Sequence, residues 1–139
     1  MSDLPKPAKQ PCGSCPYRRD VPSGLWSPEE YAKLPAYDGQ TWEQPTSLFM
    51  CHQRDGCLCA GWLACHDTDH LLALRLHCVD PSAFGYVSPV PVFGSGAEAA
   101  AHGSADIDAP GIAARRMIVG LERRIAPALA SKAAGGGHG

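Results

Sequence analysis

Residues 49–66 read FMCHQRDGCLCAGWLACH, and the rest of the chain is organised around this stretch. It contains four of the seven cysteines and two of the six histidines. Hydrophobic packing alone does not require such a density of sulfur and imidazole groups. Upstream, Cys12 and Cys15 form a separate C-x2-C pair. Because thiolates at that spacing reach one tetrahedral ion without strain, we interpret the two stretches as halves of one metal site.

The composition indicates one small domain with a thin core. Of the 139 residues, 15 are Gly and 13 are Pro, and much of the 45% hydrophobic content is alanine. A small domain with few large apolar residues usually needs a staple, such as a metal ion. The formal net charge of −2 provides no basic surface, so we expect no nucleic-acid partner.

The sequence also indicates a cellular compartment. The residues before Cys12 contain no apolar signal segment, and no run approaches the ~20 apolar residues of a membrane span. We therefore expect a cytoplasmic protein without a membrane partner. In that compartment, closely spaced cysteines are more often metal ligands than disulfides. The sequence leaves open which protein partner the chain binds and whether it forms oligomers.

The fold class predicted is a small α+β or mostly irregular metal-stapled domain with short helices, plus a C-terminal amphipathic helix. In chain order, the predicted parts are a flexible leader (1–11), the cysteine-rich metal-binding domain (12–93), a linker or weak helix (94–109), the C-terminal helix (110–131) and a disordered tail (132–139).

Local signals place several elements inside the metal-binding part. A helix is predicted over 28–34, with Ser27 as its N-cap and Glu30 completing a capping box. Residues 46–50 are predicted to form a short strand that leads to Cys51.

Two further helical patterns follow. Helical spacing begins at Cys59 and continues through residues 70–78. The C-terminal helix carries an apolar stripe of five residues: Ala114, Ile118, Leu121, Ile125 and Leu129.

Four motifs stand out: Cys12-Gly-Ser-Cys15-Pro-Tyr-Arg-Arg-Asp-Val-Pro-Ser-Gly, Tyr37-Asp38, Phe49-x-Cys51-His52-Gln53 and Cys59-Ala-Gly-Trp62. Over about residues 10–66 they resemble a domain-of-unknown-function family of small cysteine-rich proteins from actinobacteria and their phages. The resemblance implies no activity. It implies that four cysteines matter, Cys12, Cys15, Cys51 and Cys59, and that His52 and Trp62 flank them. Cys57, Cys65 and Cys78 lie outside the pattern.

The residues themselves lead to the same first choice of metal ligands, a C-x2-C-x35-C-x7-C arrangement. The long insert is not a zinc-ribbon spacing, so alternatives stay open. Cys57 could replace Cys59, or His52 could replace a thiolate. Adjacent strand residues point to opposite faces, which makes joint binding by Cys51 and His52 awkward. Cys65 and His66 could join a second ion, although a buried cysteine and a buried histidine are the simpler interpretation.

Zinc and a [4Fe–4S] cluster both suit four thiolates. Zinc is favoured because it tolerates oxygen and would supply the staple that a thin core needs. The Cys15-Pro16 pair and a shell of aromatic residues would suit a cluster. For the neighbouring Arg18 and Arg19, a surface salt bridge to Asp20 or Glu29 is favoured over contact with thiolates or phosphate.

The sequence favours a binding or regulatory module over an enzyme. A closed four-thiolate site leaves no coordination position for substrate or water. The first alternative is a redox or sensor protein with a [4Fe–4S] cluster. The second is an enzyme with a reactive cysteine, either Cys57, Cys65 or Cys78, near His52, His66 or His77. Such an enzyme would need a thiol of low pKa.

Overall fold

The sheet at the centre of the fold consists of two very short strands. In the computed structural model, which describes residues 4–51, 53–54 and 56–121, β1 (Lys6–Pro7) lies parallel to β2 (Cys57–Leu58). Met50 adds an isolated antiparallel bridge to Leu58. The sheet therefore ties the start of the chain to the middle of the cysteine-rich stretch.

The strand predicted over 46–50 is reduced to that single bridge. Its first residues hydrogen-bond with side chains: the Thr46 carbonyl faces the His77 ring, and the Ser47 carbonyl accepts from the Tyr37 hydroxyl. Because these carbonyl groups are hydrogen-bonded to side chains, they do not form the backbone hydrogen bonds of a β-sheet.

Most of the regular structure is helical. The helices are α1 (Pro28–Ala32), α2 (Ala60–Cys65), α3 (Leu72–Leu76), α4 (Gly96–Ser104) and α5 (112–121). Short 3-10 helices lie at Pro35–Asp38, Thr41–Glu43, Thr68–His70 and Pro81–Ala83. The described residues thus form a small mixed α/β fold with short helices.

Helix α1 is shorter than predicted and lacks its predicted cap. The Ser27 side chain makes no capping hydrogen bond, so the capping box is wrong. Glu30 instead pairs with Lys33, with 3.0 Å between the oxygen and Nζ. The helix ends at Ala32, and Pro35, which has no N–H to donate to the Tyr31 carbonyl, begins the 3-10 helix that follows.

The main core surrounds α2. Its largest fully buried side chains are Trp62, Tyr17, Tyr31, Leu34, Leu58, Leu63 and Leu71. Helix α4 lies in the segment predicted as a linker or weak helix, and it packs closely on α1. A Cβ on Gly103 would overlap the Tyr31 ring, and one on Gly96 would overlap the Leu34 carbonyl. Small residues therefore let this alanine-rich segment join the core.

Helix α5 packs on a second, smaller cluster. Leu121 lies with Val21 and Leu25, and Met117 and Ile118 contact the same group. The predicted Ile125 and Leu129 lie outside the described residues. No helix in the described part of the chain is both long and apolar enough to span a bilayer.

Candidate metal centre

Cys12 and Cys15 lie in a tight turn. The Cys15 N–H donates to the Cys12 carbonyl, with 3.0 Å between nitrogen and oxygen. The backbone N–H groups of Tyr17 and Gly61 point toward the Cys15 sulfur and lower the pKa of its thiol. Donors placed in this way favour the thiolate form, which is the form that binds metals.

Cys51 and Cys59 lie on the two arms of a hairpin. The Cys51 N–H donates to the Cys57 carbonyl (2.9 Å), and the Cys59 N–H donates to the Phe49 carbonyl (2.8 Å). Side chains alternate between the faces of such a pair of strands. Phe49, Cys51, Cys57 and Cys59 therefore share one face of the hairpin.

The buried contact between Cys15 and Cys59 is the centre of the site. Their sulfurs are 3.7 Å apart, and the two residues are 1% and 3% exposed. Cys59 is the N-cap of α2, and its sulfur accepts a hydrogen bond from the Trp62 N–H (3.4 Å). Helix α2 thus fixes the position of one sulfur, and the turn at Cys12–Cys15 brings the other to it.

Gly61 makes this contact sterically feasible. A Cβ at that position would lie 2.5 Å from the Cys15 sulfur and 2.7 Å from the Tyr17 Cβ. The spacing of the cysteines does not identify this residue as part of the site. The available signal was a glycine in the first turn of a helix that begins at a cysteine, where glycine is unfavourable unless close packing requires it.

Cys12, Cys15 and Cys59 have pKa values that are shifted by burial and by neighbouring thiols. Burial, together with the nearby Cys15 and a smaller contribution from Cys51, raises the pKa of Cys12 to about 11. The hydrogen bond from the Cys59 thiol is the main reason that the pKa of Cys15 is lowered. The pKa of Cys59 is raised because its thiol is the donor and because it is buried. Four thiolates here would therefore need a compensating cation.

The structure brings two of the four predicted ligands into direct contact. Cys12 and Cys51 lie in the same group without completing a tetrahedron. Within residues 4–51, 53–54 and 56–121, no three His, Cys, Asp or Glu side chains are arranged to hold a metal ion. Cys57, the predicted alternative to Cys59, faces the same side of the hairpin as Cys51. The other alternative, His52, lies outside the described residues.

Cys65 and Cys78 are separate from this group. Cys65 is half-buried, and burial raises the pKa of its thiol to about 12, with Asp38 and Glu98 adding to the rise. A thiol of that pKa is protonated at neutral pH and is a poor nucleophile. Cys78 is exposed.

His66 is engaged by groups other than sulfur. Its Nδ1 lies 2.8 Å from the Trp62 carbonyl, and its Nε2 lies 3.0 Å from Asp38 Oδ1. The same Asp38 carboxylate accepts from the N–H groups of Gly96 (2.7 Å) and Ala97 (2.8 Å). His66 therefore joins α2 to the start of α4, and its position matches the simpler interpretation of a partly buried structural histidine.

Aromatic rings line the inner side of the site. The Phe49 ring centroid lies 5.7 Å from that of Tyr17 and 6.2 Å from that of Trp62. Trp26 Nε1 donates to the Ser14 carbonyl (2.7 Å), which fastens the Cys12–Cys15 turn to the core. Among the described residues, the Tyr17 hydroxyl and Trp62 Nε1 are buried without a hydrogen-bond partner. Such groups cost free energy when no partner is supplied.

The predicted surface salt bridge near the turn is confirmed for Arg18. Its Nε and Nη2 each lie 2.8 Å from an oxygen of Asp20, and its Nη1 donates to the Pro11 carbonyl (3.0 Å). Arg19 donates to the Val92 carbonyl. Through these hydrogen bonds to oxygen atoms, the two arginines hold the segment after the Cys12–Cys15 turn in place.

A comparison with protein families gives one result. Residues 7–116 match the model of a family that is described as being of unknown function. No curated protein and no solved structure matches the chain.

Proposed function

The chain belongs to DUF6283, the family of unknown function whose model spans residues 7–116, and on that premise we propose a zinc-stapled binding or regulatory module. The proposed ligands are the thiolates of Cys12, Cys15, Cys51 and Cys59. An origin in actinobacteria or their phages, and a cytoplasmic location, remain expectations from the motifs and the composition.

The separation of the Cys15 and Cys59 sulfurs carries the proposal. It is 3.7 Å. A tetrahedral zinc ion with Zn–S bonds of about 2.3 Å has sulfurs about 3.8 Å apart along each edge. The separation of the two sulfurs therefore matches the length of one edge of a zinc tetrahedron, which supports the proposal. Cys12 and Cys51 would complete it by turning their side chains toward that edge.

The donor set also fits zinc chemically. Two buried thiols face each other, and backbone N–H groups at both sulfurs stabilise negative charge. A bound Zn²⁺ would supply the positive charge that four crowded thiolates require. In this position it would join the Cys12–Cys15 turn to the hairpin and to α2, and so stabilise the fold. A four-thiolate site is closed, which supports a structural role over catalysis.

The same separation argues for a single ion over a [4Fe–4S] cluster, the second candidate. In such a cluster each cysteine binds a different iron, so the cysteine sulfurs stand farther apart than the edge of a one-ion tetrahedron. The aromatic lining by Tyr17, Phe49 and Trp62 is the observation that favours a cluster. The third candidate, a cysteine-dependent enzyme, has less support because the pKa of Cys65 is raised.

Anaerobic purification tests the proposal. We expect a colourless protein with one zinc per chain, and neither iron nor sulfide. The Cys15→Ser variant should lose both zinc and thermal stability, whereas the matched Cys78→Ser variant should keep both because Cys78 is exposed and is not one of the proposed ligands. A brown protein with equal amounts of iron and sulfide would show that the bound group is an iron–sulfur cluster and not zinc. Full zinc retention in Cys51→Ser would show that the ligand set is wrong.

A further inference from the structure

Cys57 lies directly across the hairpin from the proposed zinc ligand Cys51. The bridge pairs Met50 with Leu58, so the next pair toward the hairpin loop is Cys51 with Cys57. The hydrogen bond from the Cys51 N–H to the Cys57 carbonyl (2.9 Å) confirms this register. The surplus thiol is thus held opposite a ligand by backbone pairing.

This register is compatible with a disulfide bond. Directly opposite residues on antiparallel strands have Cα atoms about 4.5–5.5 Å apart, and disulfides span Cα separations of about 4.4–6.8 Å. The two side chains also share one face of the hairpin because their positions are directly opposite. Directly opposite residues have Cβ atoms about 4.5–5.5 Å apart, and a disulfide needs about 3.5–4.5 Å, so the two strands close slightly as the bond forms.

The two thiols are also accessible. Cys51 and Cys57 are half-buried, whereas Cys15 and Cys59 are buried. Cys51 lines an open groove of about 730 Å³ beside Phe49 and Met50, which admits small molecules. A small oxidant therefore reaches this pair more easily than it reaches the buried pair.

We propose that Cys57 is a redox trigger for the metal site: peroxide converts Cys51 and Cys57 to a disulfide, which removes one ligand and releases the zinc. The inference rests on the proposed function, since it requires zinc bound through Cys51. It assigns a role to a cysteine that lies outside the ligand set.

The chemistry balances with hydrogen peroxide as the oxidant. The Cys57 thiolate attacks one peroxide oxygen, the O–O bond breaks, and Cys57 becomes a sulfenic acid as hydroxide leaves. The Cys51 thiolate then leaves zinc and attacks the Cys57 sulfur. The S–S bond forms, the S–O bond breaks and a second hydroxide leaves. Two protons convert the hydroxides to water, and the two electrons lost by the sulfurs have reduced the peroxide. A thiol reductant reverses the change by thiol–disulfide exchange, since the half-buried pair is accessible to a small thiol.

The test uses the full chain, reduced and loaded with zinc. Hydrogen peroxide is added, and a chromogenic chelator reports released zinc over time. Trypsin cleaves after Arg54 and so separates Cys51 from Cys57; fragmentation of the linked peptides in the mass spectrometer then distinguishes Cys57 from Cys59 and Cys65, which lie in the same tryptic peptide. We expect a disulfide between peptides 34–54 and 55–75, release of one zinc per chain, and recovery of binding with dithiothreitol and zinc.

Cys57→Ser is the decisive variant, and Cys78→Ser is its matched control. Reduced Cys57→Ser should keep its zinc, and in peroxide it should release the zinc severalfold more slowly than the wild type does. Cys78→Ser should behave as the wild type. The inference fails if Cys57→Ser releases zinc at the wild-type rate, or if the link joins peptide 10–18 to 55–75, as Cys15 with Cys59 would. If the reduced wild type holds no zinc, the proposed function itself fails. Loss of zinc from reduced Cys57→Ser would instead make Cys57 a ligand and overturn the inference.

Discussion

The Gly61→Ala substitution has two opposite effects on stability: alanine favours the helix, but its methyl group overlaps the Cys15 sulfur. Gly61 lies in α2, where alanine normally stabilises a helix by about 0.5–1 kcal/mol relative to glycine. In this structure the new Cβ would lie 2.5 Å from the Cys15 sulfur and 2.7 Å from the Tyr17 Cβ. Overpacking of this kind typically costs about 1–3 kcal/mol. The net of the two effects is a loss of about 0–2.5 kcal/mol in the free energy of unfolding of Gly61→Ala.

Gly120→Ala is the matched control. Gly120 lies in helix α5, and no described atom lies within 4 Å of a Cβ built there. This variant should gain about 0.5–1 kcal/mol from helix propensity alone. Urea unfolding of both variants, with zinc in excess and with a chelator, measures the two effects. Gly61→Ala should also bind zinc more weakly, because the methyl group displaces the Cys15 sulfur. If Gly61→Ala is as stable as wild type and binds zinc equally well, the close contact between α2 and Cys15 is refuted.

Three further outcomes follow from the same contacts. Tyr17→Phe should change the unfolding free energy by less than about 1 kcal/mol, since the buried Tyr17 hydroxyl has no partner among the described residues. Tyr31→Phe should lower it by about 1–3 kcal/mol, because two backbone N–H groups lose their acceptor. Thermal unfolding compares the two, and an equal loss would contradict the assignment. With iodoacetamide at pH 8, Cys65 should react more slowly than the exposed Cys78, and the reaction rate of Cys65 should increase as the pH is raised toward the pKa of its thiol, about 12. Mass spectrometry of the labelled peptides measures both rates. Equal rates would contradict the burial of Cys65. Asp38→Ala should cost about 0.5–2 kcal/mol in urea unfolding, because the N–H groups of Gly96 and Ala97 in the first turn of α4 lose their acceptor; an unchanged midpoint would show that these two hydrogen bonds are unimportant.

The general class of the fold could be predicted from local signals, whereas its packing could not. Proline and glycine positions indicated short helices and irregular connections. The segment 94–109 looked like a linker or weak helix because its composition is Ala, Gly and Ser. Its incorporation in the core depends on Gly103 fitting against the Tyr31 ring. That contact joins residues far apart in the chain and leaves no local pattern.

Only the local part of the candidate site could be predicted from the sequence. Spacing identified Cys12 and Cys15 as a pair, and the structure places them in one turn. The contact between Cys15 and Cys59 depends on how α2 packs against that turn, which spacing does not encode. The strand over 46–50 was overestimated because its carbonyls accept from side chains, such as the Tyr37 hydroxyl, that lie elsewhere in the sequence.

X-ray absorption at the zinc edge of the reduced, full-length protein tests the central claim most directly. The account predicts four sulfur atoms at about 2.3 Å from the metal and no nitrogen or oxygen ligand. The Cys15→Ser and Cys51→Ser variants should each lose the metal or a sulfur from this shell. A shell with fewer than four sulfurs in the wild-type protein, or an absorbing iron in place of zinc, would contradict the account.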